Sequence, residues 1–256
     1  MLRTTFERFS RQVVLKRRLP HRVGGEHIYV SPDASLKFWK WNLNKSDPLL
    51  FDWAVEFIRQ GDVVWDIGAN IGLFTFAAAN LAGASGQVLA VEADIWLADL
   101  LRRSARHKSG QSAPVDVLPV AVSDSVNLAR FNIAARGRST NHLEQVQGST
   151  QTGGVRESVM VVTVTLDWLL AGTPAPRVLK IDVEGAELQV LKGAQNLLST
   201  VQPIILCEVN LNNAPAVADL LHAHGYTLFD LEADGASRKP LAQPTFNTLA
   251  CPALGR

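Results

Sequence analysis

The sequence is poor in cysteine, in charge and in long apolar runs. Its 256 residues include only two cysteines, Cys207 and Cys251, which are too few for a disulfide framework and fit a reducing compartment. No apolar stretch approaches the ~18 uninterrupted residues expected of a membrane-spanning helix. Charged residues make up 19% of the chain and apolar residues 47%, which excludes a disordered chain. We therefore expect a cytoplasmic globular protein of one or two domains.

The positive charge is concentrated at the N-terminus. Seven of the 25 Lys and Arg residues lie in residues 1–22, together with a single acid, Glu7. This segment lacks the apolar core of a signal peptide. Three alternatives stay open for it: a peripheral contact with a membrane surface, a mitochondrial presequence, or a helix packed on the domain through Leu2, Phe6, Phe9 and Val13.

Short apolar strands alternate with amphipathic helices from Asp62 onward. The pattern predicts strands over 63–67, 87–92, 115–122, 177–182 and 203–208, helices over 71–82, 94–108 and 214–224 and after residue 182, and closing strands over 226–231 and 246–251. Upstream, Asp47 and Pro48 predict a helix start, and the polar–aromatic alternation of residues 35–41 predicts a strand. Uniformly apolar strands separated by helices indicate a doubly wound α/β sheet, mostly parallel and covered on both faces.

Residues 124–162 interrupt this alternation. They are rich in Gly, Ser, Thr and Gln, and we expect residues 130–133 and 158–164 to pair as a hairpin around a loop at 148–154. We therefore divide the chain into a basic and aromatic extension, residues 1–45, and an α/β domain, residues 46–256, with a hairpin-like insertion. The extension and the insertion are the two segments long enough to act as lids over a site.

A glycine-rich turn follows the first central strand, in the sequence Asp66-Ile-Gly68-Ala-Asn70-Ile-Gly72. Glycines let the backbone approach a ligand closely, and the helix start offers free N–H groups to an anionic group. Glu92 ends the next strand, where a carboxylate can accept hydrogen bonds from both ribose hydroxyls. Together, the turn and the acid indicate a ligand that contains adenosine.

The position of Asp66 distinguishes between adenosine-containing ligands. A carboxylate two residues before the first glycine would repel a pyrophosphate but suits an ammonium group. S-adenosylmethionine has an ammonium group, a carboxylate and a ribose but no phosphate, so it fits better than a nicotinamide dinucleotide. Two alternatives stay open: a nicotinamide-dependent oxidoreductase or epimerase, and a non-catalytic module that binds an adenosine-containing ligand.

A second set of polar residues ends the later strands. Lys180 and Asp182 belong to one strand, and Glu208 and Asn210 lie at the end of the next, so all four can meet at one crevice. They could deprotonate a substrate hydroxyl, hold a divalent cation through Asp182, Glu208 and Asn210, or form a structural pair of Lys180 with a carboxylate. His142, in the insertion, is a further candidate base, although a solvent-facing loop position is the simpler interpretation.

These motifs, in this order, resemble the FkbM family of S-adenosylmethionine-dependent methyltransferases. The resemblance is carried by residues 64–75, 91–92, 118–124, 165–167 and 179–187. It implies a class I methyltransferase (Rossmann-like) fold with a seven-stranded sheet. It also implies O-methylation of a hydroxyl on a sugar, glycolipid or polyketide, with no nucleic acid partner.

The resemblance also implies roles for single residues. Asp66, Gly68, Asn70 and Gly72 would hold the methionine end of the donor, and Glu92 the ribose. The adenine would lie beside Ala121, Val122 and Ser123. Asp182 or Glu208 is then the preferred base, ahead of Lys180 and His142, and a divalent cation is not expected.

Overall fold

A seven-stranded sheet forms the centre of the computed structural model, which describes residue 11 and residues 13–107, 110–145 and 152–253. The strands, in chain order, are β1 (Leu15–Arg18), β2 (His27–Val30), β3 (Val63–Ile67), β4 (Gln87–Val91), β5 (Val115–Leu118), β6 (Ala121–Val122), β7 (Asn127–Ala134), β8 (His142–Leu143), β9 (Val155–Val164), β10 (Val178–Ile181), β11 (Ile204–Glu208), β12 (Tyr226–Asp230) and β13 (Asn247–Pro252). The α-helices are α1 (Pro48–Phe57), α2 (Leu73–Ala82), α3 (Ile95–Arg106), α4 (Leu166–Gly172), α5 (Glu187–Lys192) and α6 (Ala214–Ala223).

The central sheet has the order β12-β13-β11-β10-β3-β4-β5. Strands β11, β10, β3, β4 and β5 are parallel, whereas β13 runs antiparallel to both β11 and β12. The chain moves outward through β4 and β5 on one side of β3 and returns to β10 on the other. The strand order therefore reverses between β3 and β10, the place where open α/β sheets bind ligands beyond the carboxyl ends of their strands.

Each face of the sheet packs into its own apolar core. Val64 belongs to the core that contains α1, α2 and α3, while its neighbour Trp65 belongs to the core that contains α4, α5 and α6. Successive strand residues point to opposite faces, and both faces are covered, so these strands are apolar at nearly every position.

Residues 13–45 are built into the domain. Strands β1 and β2 pair antiparallel, and Leu19, Val23 and Ile28 are buried in the same core as α2. Of the apolar residues proposed to dock an N-terminal helix, Leu2, Phe6 and Phe9 lie outside the described residues. Within the described residues, no helix combines the length and apolarity needed to cross a membrane.

The predicted strand over residues 35–41 is wrong. Leu36–Trp39 forms a 3-10 helical turn in which Phe38 is buried, while Trp39 and Trp41 are exposed. Alternating polar and aromatic residues predict a strand only where a neighbouring strand supplies hydrogen bonds, and this segment has no such ladder. Instead, Arg17 donates hydrogen bonds to the carbonyls of Lys40 and Trp39.

The predicted pairing in the insertion is confirmed, because β7 and β9 are antiparallel, with Arg130 opposite Met160. The single strand expected over 115–122 is instead two strands. Pro119 lacks the N–H that a continuing ladder needs, and Val120 N donates to the Leu118 carbonyl. As a result, β6 leaves the central sheet and pairs with β9.

Candidate functional site

A cavity of about 310 Å³ opens at the carboxyl ends of the central strands. Both halves of the sheet line it, and so do the N-terminal segment, through Ser35, Lys37 and Phe38, and the insertion, through Phe131 and Arg138. Nine of the residues predicted for the site line this cavity: Asp66, Gly68, Asn70, Glu92, Ala121, Val122, Lys180, Asp182 and Glu208.

The glycine turn is held tightly between two strands. Gly68 has φ +78°, and a Cβ atom there would lie 1.8 Å from the carbonyl oxygen of Asp182. The backbone N–H groups of Gly68 and Ala69 both donate to the carbonyl of Val91. Asn70 also adopts a left-handed conformation, with φ +53°, and its N–H points to Glu92. Only glycine fits at position 68, because the backbone of Asp182, directly after β10, occupies the space of a side chain.

Two residues predicted to bind the ligand do not line the cavity. Gly72 begins α2 with φ +88°, and a Cβ atom there would lie 2.6 Å from side-chain atoms of Leu101 and Phe76. A glycine is therefore required at position 72 because a side chain there would clash with Leu101 and Phe76. The N–H of Ser123 donates to the carbonyl of Val164, which ties this residue to β9.

Asp66 is fully buried at the end of β3. Its Oδ2 accepts a hydrogen bond of 2.6 Å from the hydroxyl of Thr75, and its Oδ1 lies 3.5 Å from Lys180 Nζ. No described residue donates a hydrogen bond to Oδ1. A buried carboxylate oxygen without a donor is costly, so Asp66 presents an acceptor that a ligand ammonium can satisfy.

Glu92 is fixed by the turns on either side of it. Its Oε2 accepts a hydrogen bond from Asn70 N at 2.7 Å, and its Oε1 accepts one from Asp94 N at 2.8 Å. Burial raises the pKa of Glu92 to about 7, although these two N–H groups lower it. Each carboxylate oxygen has a second lone pair, so this side chain can accept hydrogen bonds from hydroxyls on a ligand.

The opposite wall of the cavity carries a cluster of acids. Glu184 and Glu208 are half-buried, and no salt bridge or side-chain hydrogen bond to another described residue engages their carboxylates. Burial, followed by the charge of Asp182, raises the pKa of Glu184 to about 8 and that of Glu208 to about 7. Both groups therefore titrate near neutral pH.

Lys180 joins the two walls. Its Nζ lies 3.1 Å from Asp182 Oδ2 and 3.5 Å from Asp66 Oδ1. Burial lowers the pKa of Lys180, but the carboxylates of Asp182, Asp66 and Glu208 raise it more, so the pKa lies above its ordinary value. Lys180 is thus a permanent cation and unsuitable as a base.

Two residues that were predicted for the chemistry of the site, His142 and Asn210, do not line the cavity. His142 precedes Leu143 in β8, and Leu143 lines the cavity, so His142 points to the opposite face. Its Nδ1 contacts the carbonyl of Thr140 instead. Asn210 Oδ1 accepts from Asn212 N in a turn. Across residues 13–107, 110–145 and 152–253, no group of three or more His, Cys, Asp or Glu side chains is arranged to hold a metal ion.

The charged residues that close the cavity could not be recognised as site residues from the sequence. Arg138 Nε lies 2.9 Å from Asp33 Oδ2, and its Nη1 lies 2.5 Å from Asp94 Oδ2, so it ties the insertion to the N-terminal segment and to the start of α3. Lys37 forms an ion pair of 2.8 Å with Asp47 at the other wall. These residues belong to four distant segments, and the local signals among them, Asp47 and Asp94 at predicted helix starts, indicate capping and not ion pairs across the cavity.

Solved structures of methyltransferases are similar to this chain in fold, with low sequence identity and low TM-scores. The methyltransferase FkbM from Methylobacillus flagellatus has a TM-score of 0.47 and 14% identity, covering 78% of this chain and 50% of its own. A SAM-dependent O-methyltransferase from Thermotoga maritima has a TM-score of 0.42 and 13% identity, covering 81% of this chain and 65% of its own.

Sequence comparison identifies the family directly. The hexuronic acid methyltransferase AglP of Haloferax volcanii is 30% identical over 154 residues, which are 59% of this chain and 58% of AglP. The chain thus matches little more than half the length of that relative. The model of the methyltransferase FkbM domain matches residues 66–228, from Asp66 at the cavity to the middle of β12. Because this match covers more than half of the chain, the protein belongs to the FkbM methyltransferase family.

Proposed function

We propose that this protein is an S-adenosylmethionine-dependent O-methyltransferase that acts on a hydroxyl group of a sugar. One observation carries the proposal: a chain of this methyltransferase family has a cavity with two different walls. One wall carries the glycine turn and Glu92, and the other carries acids of raised pKa. The printed activity of AglP, which concerns hexuronic acid, supports a sugar as the acceptor class.

Asp66, Gly68, Glu92, Ala121 and Val122 form one wall of the cavity, the first wall, and these residues fit the methyl donor S-adenosylmethionine. The Oδ1 of Asp66, which has no hydrogen-bond donor among the described residues, suits the ammonium group, Gly68 lines the cavity where the methionine end would lie, and Glu92 suits the ribose hydroxyls. Ala121 and Val122 supply an apolar surface beside Glu92 for the adenine. When bound there, S-adenosylmethionine supplies a methyl group activated by its sulfonium.

Asp182, Glu184 and Glu208 line the opposite wall of the cavity, the second wall. Glu208 is the preferred base among them. Lys180 Nζ lies 3.1 Å from Asp182 Oδ2, so this oxygen of Asp182 is already engaged in an ion pair. The carboxylate of Glu208 has no such partner, and burial raises its pKa to about 7, close to the value that favours general base catalysis at neutral pH. The hydroxyl proton of the acceptor would pass to a carboxylate oxygen of Glu208.

A binding experiment tests the donor site. Titration calorimetry with S-adenosylhomocysteine should give a dissociation constant that rises about tenfold or more in Glu92→Ala, since a hydrogen bond to a charged group contributes about 1.5–3 kcal/mol. Asp219→Asn, an exposed acid on α6, is the matched control and should bind like wild type. Binding of NAD in place of S-adenosylhomocysteine would favour the oxidoreductase alternative.

Transfer of a labelled methyl group tests the chemistry. Incubation with radiolabelled S-adenosylmethionine and sugar acceptors should give a product whose label survives mild alkali, because a methyl ether is stable and a methyl ester is hydrolysed. Alkali-labile label would show methylation of a carboxylate and contradict the O-methylation of a hydroxyl. Donor binding without transfer to any acceptor would support a non-catalytic module.

A further inference from the structure

Every cation on the cavity wall is already paired. Three cationic side chains, Lys37, Arg138 and Lys180, occur among the described residues that line the cavity. Lys37 pairs with Asp47 and Lys180 with Asp66 and Asp182. Arg138 pairs with two buried carboxylates, those of Asp33 and Asp94. An anionic acceptor would therefore have to compete with these carboxylates for each of the three cations.

The second wall offers hydrogen-bond acceptors in excess. Glu184 and Glu208 present carboxylates without an ion-pair partner among the described residues, and Asp182 is engaged at one oxygen only. The ion pair of Lys37 and Asp47 also lines this cavity. An anionic acceptor would bring a further negative charge close to Asp182 and would oppose the ionisation of Glu184 and Glu208.

Asn247 adds an uncharged hydrogen-bond acceptor to the second wall. It lies opposite Glu208 in the β11–β13 ladder and lines the cavity while being 9% exposed. Its Nδ2 donates to Glu232 Oε1 at 2.6 Å, and because an ionised carboxylate only accepts, this contact fixes the orientation of the amide. Asn247 Oδ1 is then a buried acceptor without a hydrogen-bond donor among the described residues, and a hydroxyl of a ligand would satisfy it.

We infer that the acceptor is an uncharged, hydroxyl-rich unit such as a neutral sugar, and that this wall discriminates against hexuronates and other anionic sugars. The inference rests on the proposed methyltransferase function. It separates this chain from the substrate that the name of AglP gives for that relative. Asn247 and the paired state of Lys37 are the features that set the specificity.

Two matched acceptor pools test the inference. One is a pool of neutral oligosaccharides, and the other is the same pool after selective oxidation of its primary alcohols to carboxylates. With tritium-labelled methyl donor, wild type should label the neutral pool at least about tenfold more than the oxidised pool. Equal or greater labelling of the oxidised pool would overturn the inference, as would labelling of neither pool by a protein that binds S-adenosylhomocysteine. Failure to bind S-adenosylhomocysteine would instead contradict the proposed function.

Oxidation of the pool both adds negative charge and removes primary hydroxyls, and Asp47→Asn separates these two effects. The substitution releases Lys37 and removes one negative charge from the cavity wall, so the preference for the neutral pool should shrink by about fivefold. Asparagine is also tolerated at a helix N-cap. Asp52→Asn, on the same helix but paired with Arg22 outside the cavity, should keep the wild-type preference. An unchanged preference in Asp47→Asn would overturn the role of charge.

Substitution of Asn247 tests the hydroxyl contact. Asn247→Ser and Asn247→Leu should each lower kcat/KM for the neutral acceptor roughly three- to tenfold, the scale of one neutral hydrogen bond. The affinity for S-adenosylhomocysteine should stay within about twofold of wild type, because Asn247 lies on the other wall. Thermal melting checks that each variant is folded, and the serine variant covers the case in which leucine disturbs β13. Wild-type kcat/KM in a folded variant would overturn the contact.

Discussion

Replacement of Arg138 by methionine should destabilise the protein, because it removes ion pairs that join the insertion to two other segments. Arg138 is the point at which three segments meet: it pairs with Asp33 of the N-terminal segment and Asp94 at the start of α3. Its guanidinium also lies 4.8 Å from the ring centroid of Trp96. The side chain of Arg138 is 13% exposed, and those of Asp33 and Asp94 are 4% and 3% exposed, so water screens these charges little.

The residual partners of the two acids set the magnitude. Removing one member of a buried ion pair typically costs about 3–5 kcal/mol, because a buried charge loses its partner. Here Asp33 keeps Arg156, at 3.0 Å, and Asp94 keeps Asn141 Nδ2, at 2.9 Å. We therefore expect Arg138→Met to lower the free energy of unfolding by about 2–3 kcal/mol, below the range for an isolated pair. Arg156→Met leaves Asp33 paired with Arg138 and should cost about 1 kcal/mol.

Urea unfolding followed by circular dichroism measures both losses. The slope of the free energy against urea should be the same in all three proteins, so that the midpoint alone reports stability. A loss below about 1 kcal/mol in Arg138→Met, or an equal loss in Arg156→Met, would refute the reasoning from buried charge. Because Asp94 N also holds Glu92, S-adenosylhomocysteine should bind Arg138→Met more weakly than wild type.

Three further outcomes follow from the site. The kcat/KM for methyl transfer should rise with pH through about 7, as Glu208 loses its proton, and Glu208→Gln should abolish this profile. Since the raised pKa of Glu184, about 8, makes the folded state bind a proton more tightly, the free energy of unfolding should fall between about pH 4.5 and 8; Glu184→Gln should flatten this decline in a urea series. Gly68→Ala should lower both the melting temperature and the affinity for S-adenosylhomocysteine, since its Cβ meets the Asp182 carbonyl, whereas Gly172→Ala has open space and should change neither.

The central strands could be predicted from the sequence because burial on both faces makes them apolar throughout. Val63–Ile67 and Val178–Ile181 lie within the ranges expected for them. Residues 35–41 failed, because a short alternation of polar and aromatic side chains does not determine which of them are buried. There the contacts of Phe38 with the core and of Lys37 with Asp47 decided the backbone.

The turn that carries Asp66 and the strand-end acids Asp182 and Glu208 could be predicted to line one cavity, but the rest of the acceptor wall could not. Asp66, Gly68 and Asn70 lie on one turn, so their spacing alone indicates a ligand. The acceptor wall joins Lys37 to Asp47 and Glu208 to Asn247, and no local pattern records contacts between such distant positions. Whether His142 faces the cavity could not be predicted, because its side of the sheet depends on the register of β8 against β7, which spacing does not give.

Lys180 connects stability to donor binding, and this connection yields a direct test of Asp66. Lys180→Met removes the cation that lies 3.5 Å from Asp66 Oδ1 and 3.1 Å from Asp182 Oδ2, and the folded state should lose about 2–3 kcal/mol as two acids lose their partner. Asp66 is fully buried, so the ammonium group of S-adenosylhomocysteine can replace the missing cation. Saturating S-adenosylhomocysteine should therefore raise the melting temperature of Lys180→Met more than that of wild type. Lys192→Met, an exposed lysine on α5, should respond like wild type. If the ligand stabilises Lys180→Met no more than wild type, Asp66 does not bind the ammonium group.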